Sequence, residues 1–216
     1  MAALEAVLFD MDGTLVDTET LWEESEVRTM AGFGYEWSRE DQLHAMGGPV
    51  DRVVTYMSGR CGAAPADIEA ALVTDIEALM AAAPLPVQAG VHELYSELVA
   101  AGIPVGLVTN SWRTLMDNVL SVIPLAFDVT IAGDEVELPK PDPQPYLQAC
   151  RILSVDPRNV VVIEDSPTGV ASATAAGCIV VAVPQGNRID PAERRLVVES
   201  LARVNLARLR VLVEQN

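Results

Sequence analysis

Hydrophobic residues in this chain fall into short runs that alternate with longer amphipathic segments. Five of the runs are brief and rich in Val and Ile, and several are followed directly by a polar residue. This is the pattern of buried strands in a parallel sheet. The predicted strands span residues 6–9, 103–108, 129–131, 160–163 and 179–183.

Segments with helical periodicity lie between these strands. The predicted helices span residues 91–101, 112–122, 145–153 and 168–176. Gly102 and Gly177 follow two of them, as glycine often does after the last turn of a helix. The alternation of strand and helix predicts the α/β class, with a Rossmann-like, doubly wound parallel sheet.

The region from residue 16 to residue 87 breaks this alternation. It contains no convincing strand, and its amphipathic pattern predicts helices at 19–32, 39–46, 50–61 and 65–83. The proline-rich sequence Pro84-Leu85-Pro86 indicates a linker that returns to the sheet. We therefore predict a Rossmann-like core at 1–15 and 88–216, and an inserted α-helical cap at 16–87. Such an insert would stand over the carboxyl ends of the strands, where α/β folds bind ligands.

Composition and charge exclude several classes of function. The 216 residues carry a net charge of −17, whereas nucleic-acid binding requires clustered basic residues. No apolar run approaches the roughly 20 residues that cross a bilayer, and the N-terminal residues lack the pattern of a signal peptide. Cys61, Cys150 and Cys178 lack the spacing of a metal site or a disulfide framework. We expect a cytoplasmic protein with reduced thiols that binds neither nucleic acid nor membranes.

Side chains suited to catalysis follow four of the predicted strands. Asp10-Met11-Asp12-Gly13-Thr14 follows the first, Thr109-Asn110-Ser111 the second, Lys140 lies in the loop after the third, and Glu164-Asp165-Ser166-Pro167 follows the fourth. Two acids at one strand end often belong only to a turn or a helix cap. Because the carboxyl ends of parallel strands meet at one edge of a sheet, the four groups together predict a shared site.

The acids in this set fit phosphoryl transfer. Asp10 and Asp165 would bring two negative charges together, which is costly unless a hard cation neutralises them. Magnesium suits a few carboxylate oxygens together with a substrate phosphate. Asp10 can then attack phosphorus as a nucleophile and form an aspartyl-phosphate. Asp12 lies two residues on, before a glycine that permits a sharp turn, and can exchange protons with the leaving oxygen and with water.

Lys140 is the only lysine, beside 13 arginines. A genomic bias toward arginine codons accounts for the scarcity of lysine but not for the position of the one that is present. A compact point charge at this position would offset negative charge on the transferring group, so we include Lys140 among the catalytic residues. We expect Thr109, Asn110 and Ser111, with backbone amides of the following helix, to bind the phosphate oxygens.

The four segments resemble the four motifs of the haloacid-dehalogenase-like hydrolase superfamily, and the match covers essentially the whole chain. The motifs are Asp10-Met11-Asp12-Gly13-Thr14, Thr109-Asn110-Ser111, Lys140-Pro141-Asp142 and Glu164-Asp165-Ser166-Pro167-Thr168-Gly169. The resemblance implies that Mg²⁺ is held by Asp10, by the backbone carbonyl of Asp12 and by Asp165, with Glu164 in the outer sphere. It also implies a monomer that acts on a small phosphorylated substrate.

Within the superfamily, the chain resembles the branch of phosphatases and beta-phosphoglucomutases that have a small helical cap. The presence of Asp12 favours phosphate chemistry over dehalogenation, and residues 16–87 lack the lysine that phosphonate-cleaving relatives use. Beta-phosphoglucomutases carry a histidine where this chain has Trp22, and Lys-Gly where it has Met46-Gly47. Hydrolysis is therefore favoured over the mutase reaction. The segment from Asp17 to Trp22 resembles hexose-phosphate phosphatases, which favours a sugar phosphate as substrate.

Three cap residues are predicted to contact substrate, and each has a plainer alternative. Trp22 either stacks on a sugar or packs the interior of the cap. Gly47 and Gly48 either let the backbone approach the substrate or simply end a helix. A function from another class also stays open, in which the protein is a non-catalytic module that binds phosphorylated metabolites. All of the groups that catalysis requires are nevertheless present.

Overall fold

A sheet of six parallel strands runs through the centre of the protein, and the computed structural model describes residues 3–46, 48–82, 85–186 and 188–215. Within those ranges the strands are β1 (Ala6–Phe9), β2 (Val105–Val108), β3 (Val129–Ile131), β4 (Val160–Glu164), β5 (Ile179–Ala182) and β6 (Arg195–Val197). The first five coincide with the predicted strands to within two residues at either end.

The order of the strands creates a crevice at one edge of the sheet. The order is β3-β2-β1-β4-β5-β6, with every neighbouring pair parallel. Phe9 at the end of β1 lies opposite Leu107 of β2 and Ile163 of β4. The chain therefore builds outward from β1 in both directions, and its order reverses between β1 and β4. Such a switch point leaves a crevice at the carboxyl ends of the strands.

Helices cover both faces of this sheet. In the described ranges they are α1 (Glu19–Gly32), α2 (Arg39–Ala45), α3 (Val50–Cys61), α4 (Pro65–Ala82), α5 (Val91–Ala100), α6 (Arg113–Val122), α7 (Gln144–Leu153), α8 (Pro167–Ala175) and α9 (Leu206–Gln215). Val7 and Phe9 of β1 join a hydrophobic cluster with α5, α6 and α9, whereas Ala6 and Leu8 join another with α7 and α8. This doubly covered parallel sheet confirms the predicted α/β class.

Helices α1–α4 follow β1 directly and build a hydrophobic cluster separate from those of the sheet. Met30 of α1, Met57 of α3 and Leu72 of α4 are buried there together with Trp37 from the loop before α2. Their bounds agree with the helices predicted from the sequence to within one residue. A further small cluster joins α4 to Leu115 of α6, so these helices also pack against a helix that covers the sheet.

Those two connections run side by side. Val16 and Val87 form an antiparallel bridge, and the backbone N–H of Asp17 donates to the carbonyl of Pro86 over 2.9 Å. The predicted return linker therefore pairs with the outgoing chain at Pro86, while Pro84 lies outside the described residues.

Strand β6 was not predicted. Its three residues are all partly exposed, and they lie at the edge of the sheet, so the sequence Arg195-Leu196-Val197 lacks the apolar run of a buried strand. The pairing with β5 joins Val181 to Leu196 and is a tertiary contact that local pattern does not reveal. Among the described residues, no helix has the length and apolar character needed to cross a membrane.

Candidate active site

The loop after β1 places two carboxylates and a tight turn at the crevice. Asp10 directly follows β1, and Gly13 adopts a φ of +80°, a left-handed conformation that favours glycine. A Cβ atom on Gly13 would lie 2.4 Å from Oδ2 of Asp165, which belongs to the loop after β4. Glycine at position 13 therefore permits both the left-handed turn and the close approach of the loop that carries Asp165.

Three carboxylates meet where β1 and β4 end. Asp10, Glu164 and Asp165 are buried, and one oxygen of each lies within 4.8 Å of the others. Burial, followed by the charge of Glu164, raises the pKa of Asp10 to about 8. Burial and the charge of Asp10 likewise raise the pKa of Asp165 well above its usual range. Three buried acids this close repel one another unless positive charge compensates them.

Lys140 supplies one such charge from the loop between β3 and α7. Its Nζ donates to Asp10 Oδ1 over 2.7 Å, to Glu164 Oε1 over 2.7 Å and to the Val108 carbonyl over 2.8 Å. Burial disfavours the charged amine, but Asp10 and Glu164 outweigh it and raise the pKa of Lys140. An ammonium has three protons, and each finds an acceptor here. The planar guanidinium of an arginine would not match these three acceptors.

Glu164 is held from several sides. Its Oε1 also accepts a hydrogen bond of 2.7 Å from the Tyr146 hydroxyl, and its Oε2 accepts from the Ser166 hydroxyl over 3.1 Å. A Cβ on Gly169 would lie 1.7 Å from Glu164 Oε1, so only glycine allows the first turn of α8 to approach the carboxylate. Sequence reasoning missed Tyr146, because one tyrosine on the apolar face of a helix carries no sign of its distant partner.

Ser166 and Pro167 begin α8 beside these acids. The Ser166 hydroxyl accepts a hydrogen bond of 3.0 Å from the Gly169 N–H, and Pro167 is the first residue of the helix. This cap fixes the direction of the chain immediately after Asp165.

The acid cluster fits a magnesium ion. Asp165 Oδ1 accepts a hydrogen bond of 3.2 Å from the Thr14 hydroxyl, whereas Oδ2 is buried without a hydrogen-bond partner in the described part of the chain. An orphaned carboxylate oxygen is costly in a protein interior. Beside the carboxylates of Asp10 and Glu164, it is the type of ligand that a hard divalent cation prefers.

The carboxylate of Asp12 is held separately from this cluster. Its Oδ1 accepts hydrogen bonds from the Thr18 hydroxyl over 2.7 Å and from the Trp22 indole N–H over 3.0 Å. Its Oδ2 accepts from the hydroxyls of Thr109 over 3.1 Å and Ser111 over 2.7 Å. Two of these donors come from the strand ends and two from the segment that enters α1. Trp22 also packs against the hydrophobic clusters of these helices, as one of its two alternatives predicts, and its hydrogen bond to Asp12 is an additional contact.

Asn110 contacts the lysine loop. Its side-chain amide donates to the Lys140 carbonyl over 3.2 Å and accepts from the Lys140 N–H over 2.9 Å. This pair of hydrogen bonds joins the loop after β2 to the loop after β3, and so helps to place the Lys140 ammonium beside Asp10. The part of Asn110 in phosphate binding stays a prediction.

A single cavity joins the predicted site residues to the helices above the sheet. Asp10, Asp12, Thr109, Asn110, Ser111, Lys140 and Asp165 line it from the strand ends, and Trp22 and Gly48 line it from the α1–α4 region. Gly48 has no positive φ, and a Cβ there would meet the end of the flexible Arg52 side chain at 2.1 Å. Gly47, also predicted to bind substrate, lies outside the described residues.

The sequence and the fold are similar to those of several known proteins. Protein CbbY of Rhodobacter capsulatus is 34% identical over 195 residues, which cover 84% of this chain and 86% of that protein. Hexitol phosphatase B of Escherichia coli is 31% identical over 185 residues, which cover 83% of each chain.

Solved structures extend the likeness to the fold. The structure of CbbY from Rhodobacter sphaeroides in complex with xylulose-(1,5)bisphosphate has a TM-score of 0.83 and 30% identity, and the match covers 95% of this chain and 99% of that one. Beta-phosphoglucomutase of Clostridium difficile, at 20% identity, shares the fold with a TM-score of 0.85 over 98% of each chain.

The family model described as haloacid dehalogenase-like hydrolase matches residues 7–183, a span that includes Asp10, Lys140 and Asp165. With this match and the similarity of its relatives, the chain belongs to the haloacid dehalogenase-like hydrolase family, as its four motifs predict.

Proposed function

We propose that this protein is a magnesium-dependent phosphatase that hydrolyses a small sugar phosphate through an aspartyl-phosphate at Asp10. The proposal rests on the observation that two carboxylates of the same loop, Asp10 and Asp12, have separate sets of partners. Asp10 lies in the buried acid cluster with Lys140, whereas Asp12 is held apart by its own four hydrogen bonds. Phosphatases such as the hexitol phosphatase of Escherichia coli are among the relatives.

The first step uses the free oxygen of Asp10. Lys140 binds Oδ1, while Oδ2 has no hydrogen bond to the described residues, so Oδ2 is available to attack phosphorus. The new bond joins Asp10 to the phosphoryl group, and the bond from phosphorus to the sugar oxygen breaks. The leaving oxygen takes a proton from Asp12 and departs as an alcohol.

In the second step water attacks the aspartyl-phosphate. Asp12 accepts a proton from that water, inorganic phosphate leaves, and the Asp10 carboxylate is restored. The hydroxyls of Thr18, Thr109 and Ser111 suit both protonation states of Asp12, because a hydroxyl can donate or accept a hydrogen bond.

Magnesium, when bound, would neutralise negative charge on the carboxylates and on the transferring group. Asp10 and Asp165 would hold it with the backbone carbonyl of Asp12, and Glu164 would act from the outer sphere. Lys140 and Thr109 would bind the phosphoryl oxygens with Asn110 and Ser111, as the family resemblance implies.

We further propose that residues 16–87 act as a cap domain over a core formed by 1–15 and 88–216. The separate hydrophobic cluster of α1–α4 supports this division, as does their contribution to the cavity wall. A cap in this position excludes water from the phosphoryl group until it opens.

The mutase reaction is the competing proposal for the same site. Trp22 favours hydrolysis, because its indole occupies a position beside Asp12 where beta-phosphoglucomutases carry a histidine. The cavity wall formed by α1–α4 also contains no lysine. A second phosphate group on a substrate would therefore lack the ammonium partner that such mutases provide.

The test is turnover by purified protein with p-nitrophenyl phosphate and with hexose phosphates, with and without added Mg²⁺. We expect release of inorganic phosphate that requires Mg²⁺, and loss of turnover by a factor of roughly 10⁴ or more in Asp10→Asn. Thermal unfolding should show that the variant is folded. Full activity in Asp10→Asn, or activity unaffected by chelation of divalent ions, would contradict the proposal.

A further inference from the structure

The wall that α1–α4 contribute to the cavity has a composition of its own. Glu19 and Glu26 of α1 and Gln42 of α2 supply its polar groups, beside apolar side chains such as Val53 and Leu72. The phosphoryl group is expected beside Asp10, so these helices face the part of the substrate that departs as an alcohol. This wall therefore decides which leaving groups the site accepts.

Positive charge is scarce around the cavity. Lys140 is the only cationic side chain among the described residues that line it, and hydrogen bonds to Asp10, Glu164 and the Val108 carbonyl hold it at the end of the cavity where the phosphoryl group is expected. Arg52 approaches Gly48 but does not itself line the cavity; it is exposed and donates to the His44 carbonyl over 3.0 Å. A second anionic group bound against α1 and α2 would meet carboxyl groups, and no cation among the described lining residues lies there to bind it.

The buried side chain of Glu26 is held in place by a hydrogen bond from Trp37. It is only 4% exposed, and its Oε2 accepts a hydrogen bond of 3.2 Å from the Trp37 indole, which also donates to Gln42 Oε1 over 3.1 Å. The Gln42 side chain also interacts with the Glu26 carboxyl group and opposes the rise in its pKa. One tryptophan thus orients an acid and an amide that both line the cavity.

The charge state of these acids suits a neutral partner. Burial raises the pKa of Glu26 to about 8, so at neutral pH the buried acid keeps its proton and can donate a hydrogen bond. Glu19 lies in the same wall and is partly exposed. A protonated carboxyl and an amide together offer donors and acceptors, which is what sugar hydroxyls require.

We propose that Glu19, Glu26 and Gln42 select a neutral, hydroxyl-rich leaving group, so that the substrate is a sugar or polyol monophosphate and esters with a second phosphate or a carboxylate are rejected. This rests on the phosphatase function proposed above and adds its substrate class. Rejection follows from the cost of placing an anion against carboxyl groups without a compensating cation. The relative CbbY binds a bisphosphate in its solved structure, so we expect this chain to differ from CbbY in the substrates that it accepts.

The direct test compares matched pairs of substrates with the intact protein and Mg²⁺. Glucitol 6-phosphate is compared with 6-phosphogluconate, and fructose 6-phosphate with fructose 1,6-bisphosphate. We expect kcat/KM to be at least about tenfold higher for the neutral member of each pair. Equal or reversed values would overturn the inference. Turnover of p-nitrophenyl phosphate, measured beside them, shows whether the phosphatase chemistry itself operates, so the failure of one proposal is distinguishable from the failure of the other.

A charge-reversal variant tests the wall itself. Glu19→Lys places a cation at a partly exposed position, and we expect the preference for the neutral substrates to fall by about tenfold or more. Glu24→Lys makes the same change on the exposed face of the same helix and should leave the preference unaltered. Equal effects of the two variants would show that general charge, rather than the wall, sets the selectivity.

A second pair of variants keeps the inference testable if Glu19→Lys does not fold. Glu26→Met removes the hydrogen-bonding group, and we expect a rise of about fivefold or more in KM for the neutral sugar phosphates. Glu26→Gln, which can still donate and accept, should restore most of that loss. A structural role alone would lower kcat and stability in both variants without this difference in KM.

Discussion

Two groups of acids contribute side chains to the wall of the same cavity, and the two groups differ in their charged partners. At the strand ends Asp10 and Glu164 share the buried ammonium of Lys140, and Asp165 adds an orphaned carboxylate oxygen that suits a metal ion. The acids of α1, Glu19 and Glu26, have no cation beside them in the described part of the cavity wall. The same functional group is thus arranged for charge in one place and for neutrality in the other.

The difference shows how partners, rather than residue type, decide what a buried carboxyl group does. The pKa of both Asp10 and Glu26 is about 8, but the two groups differ in what can lower it. At the strand ends Lys140 counteracts the burial of Asp10, and a bound cation would favour the ionised nucleophile further. In the cap region Glu26 receives hydrogen bonds but no compensating charge. The first group is suited to phosphoryl transfer and the second to binding hydroxyls.

Removal of the Lys140 ammonium should have the largest effect on stability and turnover. In Lys140→Met the core acids lose the one cationic partner that they have among the described residues, and we expect the free energy of unfolding to fall by about 3–5 kcal/mol at neutral pH. Turnover should fall by roughly 100-fold or more, since charge on the phosphoryl group is no longer offset. Urea unfolding and phosphate release measure the two effects.

The matched control is Arg210→Met, which removes one positive charge from the exposed surface of α9. Its stability should change by less than about 0.5 kcal/mol. Equal losses in the two variants would mean that the buried position of Lys140 is not the cause.

We expect an intermediate effect on turnover when the hydrogen bond between Trp22 and Asp12 is lost. Trp22→Phe keeps an aromatic ring but removes the N–H that donates to Asp12 Oδ1 over 3.0 Å. We expect kcat to fall about tenfold, or ~1.4 kcal/mol in the activation free energy, because Asp12 is less firmly oriented.

Trp112→Phe serves as the control, because Trp112 packs against the same helical cluster without a hydrogen bond to Asp12. It should retain kcat within about twofold. If both variants lose activity equally, packing rather than the hydrogen bond explains the role of Trp22.

A further effect concerns the dependence of stability on pH. The pKa of Glu26 is about 8 in the folded protein and 4.5 in an ordinary setting, so between these values the folded state holds a proton that the unfolded state releases. The contribution of Glu26 to stability is therefore full below about pH 4.5 and is lost as the pH rises through 8, with a slope of at most about 1.4 kcal/mol per pH unit.

Glu26→Gln should remove that slope, and Glu24→Gln on the exposed face of α1 should not. Urea unfolding of each variant and of the parent at pH 5.5 and pH 8 measures the difference. Parallel pH profiles for Glu26→Gln and the parent protein would contradict a buried, protonated Glu26.

Local pattern was sufficient for most of the fold. The first five strands and the four helices after β1 were predicted nearly to the residue, because a buried parallel strand is an apolar run and an amphipathic helix repeats with a fixed period. Strand β6 escaped prediction, since its residues are only half-buried and its identity depends on pairing with β5.

The candidate site divides in the same way. The sequence by itself determined the chemical inventory and, through the ends of the strands, the edge where Asp10, Asp12, Lys140 and Asp165 gather. Only the tertiary structure decided their partners. That Trp22 holds Asp12, that Tyr146 holds Glu164, and that Glu26 stands in the cavity without a cation all depend on contacts between segments remote in sequence. Residue spacing encodes what lies on one strand or one helix, whereas contacts between elements depend on how those elements pack.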